Sequence, residues 1–140
     1  MRRSEQRRAA VWALYQSDLL GRPVEEMFTA DSLAFTRALA QLARDRQPEL
    51  DALISEYASG WSLERIAPVE RSILRVALAE ILYPSEVPGE RPISPEGAID
   101  EAVETAKRFC GADAPGFVNG ILGAVLAHIE AQPVRERQSR

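Results

Sequence analysis

The sequence predicts an all-helical fold, a bundle of about seven helical segments. Only 6% of the 140 residues are aromatic, while Ala, Leu, Arg and Glu are abundant. This composition favours helices, because strands are built mainly from β-branched and aromatic residues. Apolar residues recur at helical spacing, and Gly and Pro separate the periodic stretches. The length suits one hydrophobic core, so we expect one domain over residues 1–140 without a linker.

Capping and breaking residues set the bounds of these segments. The predicted N-caps, whose side chains can accept hydrogen bonds from free backbone N–H groups, are Ser4, Asp31, Ser94 and Asp113. Pro68 and Pro95 suit the first position of a helix, and Gly21 suits the C′ position after the first one. The expected segments are residues 4–20, 31–47, 49–58, 63–66, 68–83, 95–110 and 114–131. Pro133 is expected to end the last helix, and residues 134–140 to form a frayed polar tail.

The segment at 68–83 is expected in the centre of the bundle. Apolar residues cover most of its circumference and leave only a narrow polar stripe, to which Arg71, Ser72 and Arg75 belong. The next helix is expected to bury a line of residues that ends at Phe109 and Cys110. No apolar run approaches the roughly 18 residues of a membrane span, so none is predicted.

Several kinds of site are excluded by composition. The chain has one cysteine and one histidine, so a Cys/His metal site within one chain is excluded. His128 lies midway along an amphipathic helix, and we interpret it as a histidine at the edge of the core. Gly116, Gly120 and Gly123 fall within a helix, where close packing against neighbouring helices is the favoured interpretation. We therefore predict no catalytic residue, no metal and no cofactor.

Charge is distributed unevenly along the chain. The net charge is −4, but residues 1–22 carry five arginines against two acidic residues, a local balance of +3. Four arginines lie among the first eight residues, where cations oppose the helix macrodipole. Arg3 and Arg7 are i,i+4 neighbours with Arg8 alongside, and arginine binds phosphate and stacks on bases. The pattern favours nucleic-acid binding over its alternative, a solubilising terminal arm.

The turn at residues 111–120, GADAPGFVNG, is a second candidate site. Asp113 and Pro115 suit the start of a helix, and Phe117 follows in its opening turns. One sufficient explanation of this pattern is structural, with Asp113 capping the helix and Phe117 packing in the core. The other is a helix N-terminus that offers free N–H groups to phosphate, with an aromatic ring nearby for stacking.

At these positions the sequence resembles the NusB family of bacterial transcription antitermination factors. The Arg-rich opening resembles the family's first helix and reads RRSEQRRAAVWALYQSDLLG. The central helix and the last two helices also match, in order, in VERSILRVALAEILY, ISPEGAIDEAVETAKRFC and APGFVNGILGAVL. The matching segments lie at both ends and in the middle, and together they cover most of the chain.

The resemblance implies two packed helical subdomains and a role in ribosomal RNA transcription. NusB proteins bind single-stranded boxA RNA with NusE, a small-subunit ribosomal protein, and join elongating RNA polymerase in a complex that suppresses termination. The RNA-binding residues implied by position are Arg3 and Arg7, with Arg2 and Arg8 beside them, and Asp113 and Phe117. The implied NusE-binding residues are Tyr15, Leu19 and Glu70. Some members form homodimers, and the resemblance leaves the oligomeric state open.

Two departures and two rival interpretations accompany this resemblance. Trp12 stands where the family usually has Gln, as a packed residue or a stacking ring, and Glu5 interrupts the basic arm. One rival is the N-terminal domain of ribosomal RNA cytosine methyltransferases, which shares the fold, although no cofactor-binding second domain is visible here. The other is a helical interaction protein that binds no RNA. The single cysteine and the missing apolar signal segment are typical of a cytoplasmic protein without membrane attachment.

Overall fold

The computed structural model describes residues 2–89 and 91–132, and all regular structure in those ranges is helical. The α-helices there are α1 (Arg3–Leu20), α2 (Ala34–Asp45), α3 (Gln47–Tyr57), α4 (Pro68–Leu82), α5 (Pro95–Phe109) and α6 (Ala114–Ala131). Short 3₁₀ turns lie at Val24–Met27, Leu63–Arg65 and Pro84–Glu86. The all-α fold class is therefore confirmed, and the segment predicted near residues 63–66 is a 3₁₀ turn. The predicted end at Pro133 and the tail at 134–140 lie outside the described residues.

The capping predictions are partly correct. Gly21 ends α1 with a φ of 64°, and the Ser94 hydroxyl accepts a hydrogen bond from the Gly97 N–H at 3.0 Å. Ser4 lies inside α1 instead of capping it, because its hydroxyl donates to Glu101 on α5 at 2.8 Å. Asp31 does not cap α2, which begins at Ala34 after a separate turn over residues 29–32. Asp113 stands at the N-cap position of α6 but makes no side-chain capping bond.

Helix α4 is the centre of the bundle, as predicted, and it packs against each of the other five α-helices. Every residue from 72 to 80 is buried, so the polar stripe lies inside the protein. Arg75 is 2% exposed and binds both carboxylate oxygens of Asp51 on α3, at 2.7 and 3.1 Å. Its Nη1 also lies 3.4 Å from the Asp18 carboxylate on α1. The stripe therefore joins α4 to α1 and α3.

Helices α1 and α4 run antiparallel. Arg7, near the start of α1, pairs with Glu80 near the end of α4, and Asp18 pairs with Arg71 near its start. Glu70 and Glu80 are separated by about 15 Å along the helix, at 1.5 Å per residue. The basic start of α1 consequently lies at the end of α4 opposite to Glu70.

Helix α6 is long and apolar enough, by length and composition, to cross a membrane. No membrane span was predicted from the sequence. The helix is amphipathic in its packing, because one side is buried in the common core against α5 and α4. The buried core residues of this side are Val118, Ile121, Leu122 and Val125. With Ala114, these residues make up the buried 28% of the helix, so most of its surface lies outside the core.

Candidate nucleic-acid interface

The start of α1 displays two exposed arginines. Arg2 occupies the N-cap position and makes no side-chain capping bond. The guanidinium carbon of Arg3 lies 4.1 Å from the centre of the Phe35 ring on α2, and its Nη1 donates to the Gln6 Oε1 at 3.1 Å. Arg8 is half-buried and forms no salt bridge within the described ranges. A guanidinium stacked on a ring loses little further freedom when it binds a ligand, so Arg3 is a preorganised cation.

Arg7 is anchored more firmly than the sequence suggested. Its Nε donates to the Glu80 Oε1 at 2.7 Å, and only 13% of the Arg7 side chain and 3% of the Glu80 side chain are exposed. Burial raises the pKa of Glu80, and the hydrogen bond from Arg7 partly offsets this. The Arg7 guanidinium also lies 5.4 Å from the Phe35 ring. Arg3 and Arg7 thus converge as the i,i+4 spacing predicted, and they do so on a phenylalanine that the sequence analysis had not linked to them.

A recess of about 410 Å³ opens between the start of α1 and the loop that follows α4. The charged residues that line it, among those the structure describes, are Arg3, Arg7, Arg91 and Glu80. Its other lining residues are Phe35, Val87, Pro88, Gly89, Pro92 and Ile93. Sequence reasoning missed Arg91, because nothing in the local pattern indicates that the proline-rich loop folds back onto α1.

A cleft of about 200 Å³ at the other end of α4 brings together Glu70, Asp113 and Phe117. Trp61, which the sequence analysis did not single out, also lines it and is 50% exposed. The Trp61 and Phe117 rings meet edge to face at 6.3 Å, and the Arg65 guanidinium lies 5.4 Å from the Trp61 ring. The sequence does contain a signal for Trp61, because this large aromatic residue directly follows Gly60 and lies outside the predicted helices. The cleft offers two aromatic surfaces, one cation and two carboxylates.

Glu70 lies partly buried beside the end of α5. Burial raises the pKa of its carboxyl group. The pKa of the Cys110 thiol is also raised, by burial and by the negative charge of Glu70. Glu70, predicted on the NusE-facing surface, therefore shares one cleft with Asp113 and Phe117, which were predicted to face RNA.

An aromatic cluster, made of Trp12, Tyr15 and Phe109, covers one face of α1. Trp12 meets Tyr15 edge to face at 5.5 Å and Phe109 at 5.2 Å. Phe109 is 45% exposed, so its predicted place in the core was wrong. It is the last residue of α5 and turns toward Trp12 instead of the centre. Leu19, one turn beyond Tyr15, is 62% exposed, so this face of α1 presents apolar surface to solvent.

The three glycines of α6 face open space, which overturns the close-packing interpretation. A Cβ at Gly116, Gly120 or Gly123 would meet no atom of the described residues within 4 Å. Two of them, Gly116 and Gly120, line a shallow groove of about 400 Å³ together with Phe117. Beside this groove His128 is exposed, with its ring 5.9 Å from the ring of Tyr57. Across residues 2–89 and 91–132, no three His, Cys, Asp or Glu side chains are grouped so as to hold a metal ion.

The sequence matches the family model described as the NusB family over residues 4–127. It is 39% identical to a Transcription antitermination protein NusB of Symbiobacterium thermophilum, with 90% of each chain covered. The structure superposes on that of T. maritima NusB with a TM-score of 0.74 and 29% identity, covering 100% of this chain and 99% of that one. It also superposes on a chain from the crystal structure of antitermination factors NusB and NusE in complex with dsRNA. There the TM-score is 0.74 and the identity 25%, with 91% of this chain and 99% of that chain covered.

Proposed function

Because the chain belongs to the NusB family, we propose that it is a transcription antitermination factor that binds RNA together with NusE. Its RNA is single-stranded and of the boxA type, and the complex supports ribosomal RNA transcription by elongating RNA polymerase. The protein acts in the cytoplasm as one domain, by binding and not by catalysis. The observation that carries the proposal is the preorganised pair of arginines, Arg3 and Arg7, at the start of α1.

The basic arm, which consists of the four arginines at the start of α1 (Arg2, Arg3, Arg7 and Arg8), contributes most of the electrostatic attraction for RNA. A structural role alone would not favour the exposed Arg2 and Arg3 in this position, since each exposed cation there costs about 0.3–1 kcal/mol against the macrodipole. Arg3 and Arg7 present guanidinium groups beside one ring, and Arg2 and Arg8 add positive charge at the same end of α1. Guanidinium groups bind phosphate bidentately, so a strand that crosses α1 gains affinity without sequence selectivity.

The cleft at the other end of α4 contributes selectivity. Phe117 and Trp61 offer ring surfaces on which an unpaired base can stack, which is typically worth about 1–3 kcal/mol per base. The Asp113 carboxylate is exposed and can accept hydrogen bonds from base amino groups, while it repels phosphate. Since the cleft and the arm lie near opposite ends of α4, about 15 Å apart, one strand must span several nucleotides to reach both.

The apolar face of α1 suits a protein partner better than RNA. Tyr15 and Leu19 lie on one stripe, with the Trp12 ring packed against Tyr15 and Leu19 largely exposed. Exposed aromatic and aliphatic side chains of this kind mark protein interfaces. Glu70 lies at the end of α4 nearest to this stripe, which supports one NusE surface made of Tyr15, Leu19 and Glu70.

The salt dependence of RNA binding tests the arm. We expect the variant Arg3→Ala with Arg7→Ala to bind boxA-like RNA more weakly and with a smaller salt slope. Each phosphate contact contributes about 0.7 to the slope of log K against log salt concentration on a single strand. The matched control is Arg22→Ala, just beyond the far end of α1, where the Arg22 side chain is 64% exposed. Equal affinity and slope for the double variant and wild type would remove the arm from the RNA surface.

A further inference from the structure

The recess beside the start of α1 has the composition of an anion site. Among the described residues, its lining contains three arginines and one carboxylate, a net formal charge of +2. A groove of similar size, about 460 Å³, lies between α3 and the end of α4. That groove carries one arginine and two glutamates in its lining, a balance of −1. Because this protein is acidic as a whole, a recess with concentrated positive charge is a distinctive feature of its surface.

Glu80 gives one of these arginines a fixed orientation. Its carboxylate is buried and accepts from the Nε of Arg7, so the bond uses only one edge of the guanidinium fork. No residue in the described ranges accepts a hydrogen bond from the Nη1 or Nη2 of Arg7. A buried carboxylate that holds one edge of an arginine leaves the other edge directed and ready for a second acceptor.

The loop after α4 closes the other side of the recess. Gly89 has a φ of +127°, a conformation that favours glycine, and a Cβ there would lie 3.6 Å from the Arg3 Nη2. The Arg3 side chain thus lies between this loop and the Phe35 ring. Arg91 follows in the same loop, is exposed, and forms no salt bridge within the described part of the chain.

We propose that this recess binds one phosphate group of the RNA strand, with Arg91 as a further RNA-contacting residue. Arg3 and Arg7 supply the opposite wall, and Glu80 is the residue that positions Arg7. The inference rests on the proposed function, because RNA supplies the phosphate. It deepens that function by extending the basic surface from α1 to the loop between α4 and α5.

The contribution of Arg91 is tested by the variant Arg91→Ala in a fluorescence-anisotropy titration with a boxA-like RNA. One lost phosphate contact is expected to weaken binding and to reduce the salt slope by about 0.7. The matched control, Arg22→Ala, removes the same charge away from the recess and is expected to change neither quantity. An Arg91→Ala variant with the affinity and slope of the control would overturn the proposal.

The positioning role of Glu80 is tested with a double-mutant cycle. Glu80→Leu removes the acceptor, Glu80→Gln keeps it, and Arg7→Leu removes the group that is positioned. We expect Glu80→Leu to weaken RNA binding when Arg7 is present and to have no effect on RNA binding in the Arg7→Leu background. Glu80→Gln is expected to retain binding. An equal effect of Glu80→Leu in both backgrounds would show that Glu80 does not act through Arg7.

Two further results distinguish a failure of the phosphate-binding recess from a failure of the proposed RNA-binding function. If the wild-type protein binds the RNA without salt sensitivity, the proposed function and the recess both fail. If the wild type binds with salt sensitivity but Arg91→Ala matches it, only the recess fails. Replacing chloride by inorganic phosphate at constant ionic strength is expected to weaken RNA binding by the wild type more than RNA binding by Arg91→Ala, because free phosphate competes for the recess. Equal weakening of both proteins would place the phosphate effect outside the recess and would overturn the proposal.

Discussion

Removal of the buried guanidinium of Arg75 is expected to destabilise the bundle strongly, because its carboxylate partners would lose their cation. It is 2% exposed, and its Nε and Nη2 each donate to an oxygen of Asp51 on α3. Its Nη1 lies 3.4 Å from Asp18 on α1. Its replacement by methionine, Arg75→Met, keeps much of the side chain's length but leaves both carboxylates without this cation. Helices α1 and α3 would then each lose a polar attachment to α4.

Removing one partner of a buried ion pair typically costs about 3–5 kcal/mol. Here the lower end applies, because the Asp51 and Asp18 side chains are 20% and 24% exposed and keep some contact with water. Asp18 also retains Arg71 at 3.2 Å. We therefore expect Arg75→Met to lower the free energy of unfolding by about 3 kcal/mol, a large share of the 5–15 kcal/mol typical of a domain.

Urea unfolding followed by far-UV circular dichroism measures this free energy. The control is Arg108→Ala, which removes an i,i+4 partner of Glu104 in a pair whose side chains are about half exposed. Arg108→Ala is expected to change the free energy of unfolding by no more than about 0.5 kcal/mol. If Arg75→Met were no less stable than Arg108→Ala, with an unchanged denaturant slope, the network would not hold α1 and α3 to α4.

Three other predictions concern Glu80, Gly120 and Tyr15. Burial raises the pKa of Glu80, so the folded protein holds this proton more tightly than the unfolded chain, and stability falls as pH rises from about 4.5 through the higher native pKa. The stability of Glu80→Gln relative to wild type should therefore increase with pH across that window, and a constant difference in urea titrations would refute this. Gly120→Ala should raise the free energy of unfolding by about 0.5–1 kcal/mol, because its Cβ enters open space on a helix, and a destabilised variant would contradict the open groove. Tyr15→Ala should weaken binding of NusE more than binding of isolated RNA, whereas an equal loss for both partners would indicate general unfolding.

Local signals in the sequence were enough to predict most of the helices. Gly21 and Ser94 each satisfy free backbone groups next to them in the chain, so their roles depend on few distant residues. The central place of α4 was also predictable, because a helix that is apolar on nearly all sides has to be surrounded. The start of α2 was predicted wrongly because the turn before it has hydrogen bonds of its own.

The remaining features depend on contacts between distant segments. Arg7 and Glu80 are 73 positions apart, so no local pattern indicates that they pair. Phe109 looks like a core residue from its spacing, yet it ends α5 and turns toward Trp12. The glycines of α6 resemble a packing motif, but packing depends on which face of the helix meets a neighbouring helix. A Cβ at any of these three glycines would have no atom of the described residues within 4 Å.

The most direct test of the account is a fluorescence-anisotropy titration of the full chain with a boxA-like RNA and with a scrambled RNA. It is performed with and without NusE, at two salt concentrations. We predict tighter binding to the boxA-like RNA, weaker binding at the higher salt concentration, and an increase in affinity when NusE is added. Equal weak binding to both RNAs, unchanged by NusE, would contradict it.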